Sequence, residues 1–104
     1  TGLQNVLAGY QCGTVYKPIY LEAQAAAALA IYLRAGETPP EALVNGKTND
    51  SKQNKDVPSV LLTPIWVTPK NMAATVVKDK FVDAAKLCAG DYAEKCKAAG
   101  ISAE

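Results

Sequence analysis

Lys17 is the residue whose setting in this sequence most suggests chemistry. It follows three good strand formers, residues 14–16, and precedes Pro18. Proline suits the first turn of a helix because its missing N–H costs nothing there. A lysine at the end of a strand can donate strong hydrogen bonds to a ligand, or can simply be solvated. The spacing alone is compatible with both roles.

The composition argues against most catalytic and metal chemistry. Histidine, the commonest general base and metal ligand, is absent. The three cysteines form no Cys-x-x-Cys pair, and three thiolates without histidine make a poor zinc site. We therefore expect no catalytic residue, no metal and no cofactor. The weaker alternative is a small thiol-dependent enzyme that uses Cys12.

Cys88 and Cys96 lie close in the sequence, on either side of a short Ala-Gly-Asp turn. In an exported protein this spacing makes a local disulfide plausible, because such bonds persist in oxidising compartments. The alternative is a pair of half-buried thiols in a helical hairpin.

Charge and hydropathy narrow the class of protein further. The chain has 104 residues, within the size of one domain, and a net charge of +1, so nothing indicates a nucleic-acid partner. The longest apolar stretch, about residues 23–33, is too short for a bilayer, which needs roughly 20 residues. The first residues show no signal-peptide pattern, which is equally expected of a mature exported protein.

Periodicity predicts helices at 3–8 and 19–35, ended by Gly9 and Gly36, with a strand at 11–16. Residues 37–56 are polar and predict a long surface loop. Residues 57–67 predict two strand pieces with a kink at Thr63-Pro64. Three short helices follow: one from Thr68 through Val77, one capped by Asp79, and one with a capping box of Asp91 and Glu94 that stops at Gly100.

Two strands cannot cover this many helices in a stable α/β sheet. The chain is then either a small α+β domain or part of a larger sheet. The start of the first helix, which has no visible cap, favours the larger sheet.

Two long blocks carry a family resemblance: GYQCGTVYKP at 9–18 and DVPSVLLTPIWVTPKN at 56–71. In this order, with an alanine-rich helix and a polar loop containing Asn-Gly between them, they resemble the C-terminal segment of bacterial sugar-binding proteins. These are the substrate-binding subunits of sugar ABC importers, and the pattern is most similar to the D-xylose-binding subgroup.

The resemblance implies an α/β fold: the C-terminal portion of a two-lobed, periplasmic-binding-protein-like type I fold, with parallel sheets flanked by helices. Residues 1–16 and about 65–104 would form the C-terminal lobe. Residues of about 18–56 would pack on an N-terminal lobe, which is the missing N-terminal part of the same protein. Hinge crossings would fall near 16–18 and 62–65, at Tyr16, Pro18, Thr63 and Pro64.

The resemblance also implies function. The protein would capture a monosaccharide, a xylose-like aldose, and deliver it to the membrane permease of an ABC importer. It would be extracytoplasmic, either periplasmic or a cell-surface lipoprotein of a Gram-positive bacterium. Lys17 would donate to sugar hydroxyls, because the residues around it match the family's T-V-Y-K motif. A sensor or transcription regulator built on the same fold is the alternative.

The family's other sugar contacts, including the aspartate of a Gly-Gln-Asp-Ala stretch, would precede Thr1. The resemblance therefore implies that these 104 residues alone bind no sugar. Two other residues of the matching blocks are expected to have structural roles rather than to contact sugar. Gln11 is expected to bond backbone, and Trp66 is expected to pack rather than to stack on a sugar ring.

Overall fold

The computed structural model describes residues 1–102. Along the chain lie α1 (Gly2–Ala8), β1 (Thr14–Tyr16), α2 (Ile19–Ala35), β2 (Gly46–Asp50), β3 (Lys55–Ser59), β4 (Ile65–Val67), a π-helical turn (Ala73–Val77), α3 (Ala84–Leu87), a 3-10 turn (Gly90–Tyr92) and α4 (Ala93–Ala98). The segment 65–104 predicted for the C-terminal lobe includes residues 103 and 104, which lie outside the described part. No helix among residues 1–102 is long and apolar enough to cross a membrane.

The chain divides into two compact units. The first unit combines Thr1–Tyr16 with the residues from Pro64 onward, and the second is Lys17–Thr63. The chain therefore passes from one unit to the other twice, after Tyr16 and before Pro64.

The first unit is built around one apolar core. Its strands alternate in the way a half-buried sheet requires, because Tyr16 and Val67 point into the core while Val15 and Trp66 point out. The helices, the helical turn and the residues that flank them contribute the remaining buried side chains. The core contains Val6, Tyr16, Val67, Met72, Val76, Leu87, Cys88, Cys96 and Ile101.

Two helices begin and end close to where the sequence predicts. α1 ends at Gly9 and α2 ends at Gly36, and both glycines adopt the left-handed conformation, with φ of 82° and 73°. A residue with a Cβ is strained at such a φ, which is why glycine marks these ends.

The second unit contains a hairpin that the sequence does not predict. Residues 37–56, expected to be a polar loop, contain all of β2 and the first two residues of β3. These two strands pair in antiparallel orientation. Asp50 builds the turn, because its Oδ1 accepts from the backbone N–H groups of Lys52 and Gln53 at 3.0 and 3.3 Å. The hairpin is polar and largely exposed on both faces, so it lacks the apolar alternation that identifies most strands.

The predicted break at Thr63-Pro64 is confirmed, since the irregular residues 60–64 separate β3 from β4. The parallel sheets implied by the resemblance do not occur among residues 1–102, because both strand pairs are antiparallel. β2 and β3 are joined by a tight turn, which permits only antiparallel pairing. The described chain is a small mixed helix–strand structure, consistent with part of an α/β domain.

Two predicted helix caps are wrong. Asp83, not Asp79, caps α3, and its side chain accepts from the backbone N–H groups of Ala85 and Lys86. The carboxylate of Asp79 instead accepts a hydrogen bond from the hydroxyl of Tyr16, a residue far away in the sequence. The capping box of Asp91 and Glu94 does not form, because the 3-10 turn carries the chain directly into α4 without a side-chain cap.

Candidate functional site

Lys17 comes directly after the last residue of β1. Its side chain is exposed. No hydrogen bond or ion pair joins it to another residue of the described chain. An ammonium group carries three N–H donors and no acceptor, so this side chain can supply charge-assisted hydrogen bonds to hydroxyl or carboxylate oxygens.

Tyr16 fixes the backbone immediately before Lys17. The ring is 3% exposed and packs against Phe81, with ring centroids 4.9 Å apart and planes at 54°. The hydroxyl donates to Oδ2 of Asp79 at 3.1 Å. Tilted aromatic pairs are favourable beyond the area they bury, so the end of β1 is held by packing and by a polar contact.

The two points at which the chain leaves and re-enters the first unit lie at the same end of the sheet. Tyr16, the last residue of β1, is paired with Ile65, the first residue of β4. Pro18 is buried, whereas Thr63 and Pro64 are exposed and irregular. Proline restricts φ at both connections. The assignment of these residues to a hinge stays a prediction.

The outer face of the β1–β4 pair carries Val15 opposite Trp66, and both side chains are more than half exposed. The Trp66 ring packs across Gly13, where an added Cβ would lie 2.5 Å from a ring carbon. Asn71 holds the strand end by donating from Nδ2 to the Trp66 carbonyl at 2.8 Å. Gln11 bonds backbone as expected, because its Nε2 donates to the Gly13 carbonyl at 2.7 Å.

The predicted pairing of Cys88 with Cys96 is confirmed. The two residues form a disulfide with a Cα–Cα distance of 5.7 Å, and both are almost fully buried. Cys12 is exposed and unpaired. Within residues 1–102 no cluster of three or more cysteine, aspartate or glutamate side chains could hold a metal ion.

Two polar residues with clear structural roles are not identified from the sequence. Asp79 receives the Tyr16 hydroxyl, and Asn45 pairs with the backbone of Leu61. Both contacts join residues far apart in the chain, so no local pattern reveals them. The Asn45-Gly46 dipeptide signals only a turn.

The chain is similar to two curated proteins, each named D-xylose-binding periplasmic protein. The one from Escherichia coli (strain K12) is 45% identical over 80 residues, which are 77% of this chain and 23% of that protein. The one from Haemophilus influenzae (strain ATCC 51907) is 38% identical over 79 residues, which are 76% of this chain and 22% of that protein. No family model matches the chain. No solved structure matches it significantly.

The chain is homologous to a segment of D-xylose-binding periplasmic proteins, and the resemblance read from its two sequence blocks is confirmed. It spans less than a quarter of the length of each of these relatives. Both relatives are named for binding in the periplasm rather than for a reaction.

Proposed function

We propose that this chain is part of an extracytoplasmic receptor that captures a xylose-like aldose and delivers it to the permease of an ABC importer, without catalysing a reaction. The observation that carries the proposal is the 45% identity over 80 residues with a D-xylose-binding periplasmic protein. The Cys88–Cys96 disulfide supports a location outside the cytoplasm, because disulfides persist in oxidising compartments.

A two-lobed type I fold is supported by the division of the chain. Such a receptor needs connections that pass from one lobe to the other and bend when the lobes close. Here the chain leaves the first unit after Tyr16 and returns at Pro64, and Tyr16 pairs with the neighbouring Ile65. We propose that Tyr16, Pro18, Thr63 and Pro64 form two of the hinge crossings.

The exposed apolar side chains of α2 support the proposal that this helix packs on another part of the same protein. None of its 17 residues is buried, and Ile31 and Leu33 are 69% and 68% exposed. Burying one such side chain is worth about 1.5–3 kcal/mol. We propose that α2 packs on the N-terminal part of the receptor, which these residues do not include.

Lys17 is the proposed sugar contact. A sugar is neutral and covered with hydroxyl groups, so its affinity depends on several donors and acceptors that converge on it. Lys17 offers donors with no competing partner in the described chain, on a backbone held by Tyr16. One lysine cannot form a sugar site alone, and we therefore expect the isolated chain to bind no sugar.

Isothermal titration calorimetry with xylose, glucose and arabinose tests the proposal on two samples: the full-length protein and the isolated chain. The full-length protein is expected to give a clear binding heat with at least one aldose, and the isolated chain none. Absence of binding by the full-length protein would refute the sugar-receptor function. Micromolar sugar binding by the isolated chain would refute only the claim that binding needs sugar contacts from the rest of the receptor.

A further inference from the structure

The side chain of Asn45 makes a double contact with the backbone of Leu61. Nδ2 donates to the Leu61 carbonyl at 3.0 Å, and Oδ1 accepts from the Leu61 N–H at 2.7 Å. A side-chain amide presents a donor and an acceptor side by side, as a peptide group does. The contact therefore extends the β2–β3 ladder beyond its final pair, Gly46 with Ser59.

Gly46, the next residue, leaves room for the side chain of Leu61. A Cβ added at Gly46 would collide with the side chain of Leu61, because the Cγ of Leu61 would lie only 3.0 Å from the added atom. Leu61 is thus bonded through its backbone to Asn45, and its side chain lies over Gly46. We call this arrangement the Leu61 clamp.

The same two residues form a chemically reactive pair. Asn45 is the only asparagine in the sequence that is followed by glycine. With no side chain in the way, the backbone nitrogen of Gly46 can attack the amide carbon of Asn45. A C–N bond forms, ammonia leaves, and the resulting succinimide takes up water to give aspartate or isoaspartate.

We propose that Asn45 is a deamidation site, protected while the Leu61 clamp is closed, and that its modification releases residues 60–63. Aspartate keeps an acceptor for the Leu61 N–H but places a carboxylate oxygen where Nδ2 faced the Leu61 carbonyl, so one of the two attractions becomes a repulsion that pushes Leu61 away. Isoaspartate lengthens the backbone by one methylene and moves the side chain out of register. Neither consequence depends on sugar binding.

The protection is tested by incubating the protein at pH 8, folded and in urea, and following the mass of the peptide that contains Asn45. Two hydrogen bonds hold the amide in the folded chain, so deamidation should be slower there by roughly 5- to 30-fold. Equal rates in the folded and unfolded protein would overturn the protective role of the clamp.

The release is tested by hydrogen exchange of residues 60–63 in the Asn45→Asp variant. Exchange of the Leu61 amide, the N–H that donates to Asn45, should be about fivefold faster than in the parent. Gln53→Glu is the matched control, since it makes the same amide-to-carboxylate change at an exposed turn residue and should leave exchange at 60–63 unchanged. Exchange at 60–63 that is the same in Asn45→Asp as in the parent would overturn the release.

Discussion

At the residue scale, Tyr16 links the sheet to the part of the chain beyond the π-helical turn. Its hydroxyl reaches Asp79, 63 positions away in the sequence, and its ring reaches Phe81. The sequence identifies Tyr16 as a strand residue through β-propensity, but not its partners. Asp79 is an attractive helix cap by local pattern alone, and it is engaged by a tertiary contact instead. A local sequence pattern does not indicate which of Asp79 and Asp83 caps the helix and which one bonds to the buried Tyr16.

Replacing Tyr16 with phenylalanine removes this hydroxyl while keeping the ring. The free energy of unfolding should fall by about 1 kcal/mol, because the partly buried hydrogen bond to Asp79 is lost and the packing against Phe81 is kept. Urea unfolding measures the change. Tyr10→Phe, at a side chain that is 86% exposed, is the control and should leave stability unaltered. A Tyr16→Phe protein as stable as its parent would show that the contact with Asp79 contributes nothing.

At the element scale, predictions succeed where the signal is local and fail where it is not. α2 begins after Pro18 and ends at Gly36, as expected, because proline and glycine act through their own backbone angles. The β2–β3 hairpin is missed because exposed polar residues occupy both of its faces. The antiparallel pairing of β1 with β4 joins strands separated by the whole second unit, and no short pattern encodes it.

The exposed face of α2 gives a prediction that compares two samples of the same variant. Ile31→Ser should change the stability of the isolated chain by less than about 0.5 kcal/mol, because Ile31 is 69% exposed there. In the full-length protein the same change should cost about 2 kcal/mol, because the side chain is proposed to be buried against the N-terminal part. Thermal or urea unfolding of both samples measures this difference. Equal, small effects in both samples would mean that α2 has no such partner.

The disulfide stabilises the helical end of the first unit. Cys88 and Cys96 are eight positions apart, and a loop of this length contributes about 2–3 kcal/mol by restricting the unfolded chain. Replacing both cysteines with alanine should lower the free energy of unfolding by about that amount, measured by urea denaturation. Cys12→Ala, at an exposed free thiol, is the control and should have no effect. A double variant that retains parental stability would contradict the stabilising role.

At the scale of the whole molecule, the described residues form two units joined by two connections, and they match less than a quarter of each relative. Prolines at 18 and 64 lie at these two connections, and the assignment of the connections to a hinge remains a proposal. Lys17 is the one sugar contact that we propose within these residues, and the others are proposed to lie elsewhere in the receptor. The local backbone determines where Lys17 lies, and the rest of the receptor is proposed to determine what it binds.

The most direct test of the proposed function is the affinity of the full-length protein for xylose when Lys17 is replaced by methionine. Methionine keeps an unbranched chain but loses the charged donors, so affinity should fall by roughly 10- to 100-fold. Lys52→Met, at an exposed turn lysine, is the matched control and should bind as the parent does. Calorimetry that finds parental affinity in the Lys17→Met protein would contradict the role proposed for this residue.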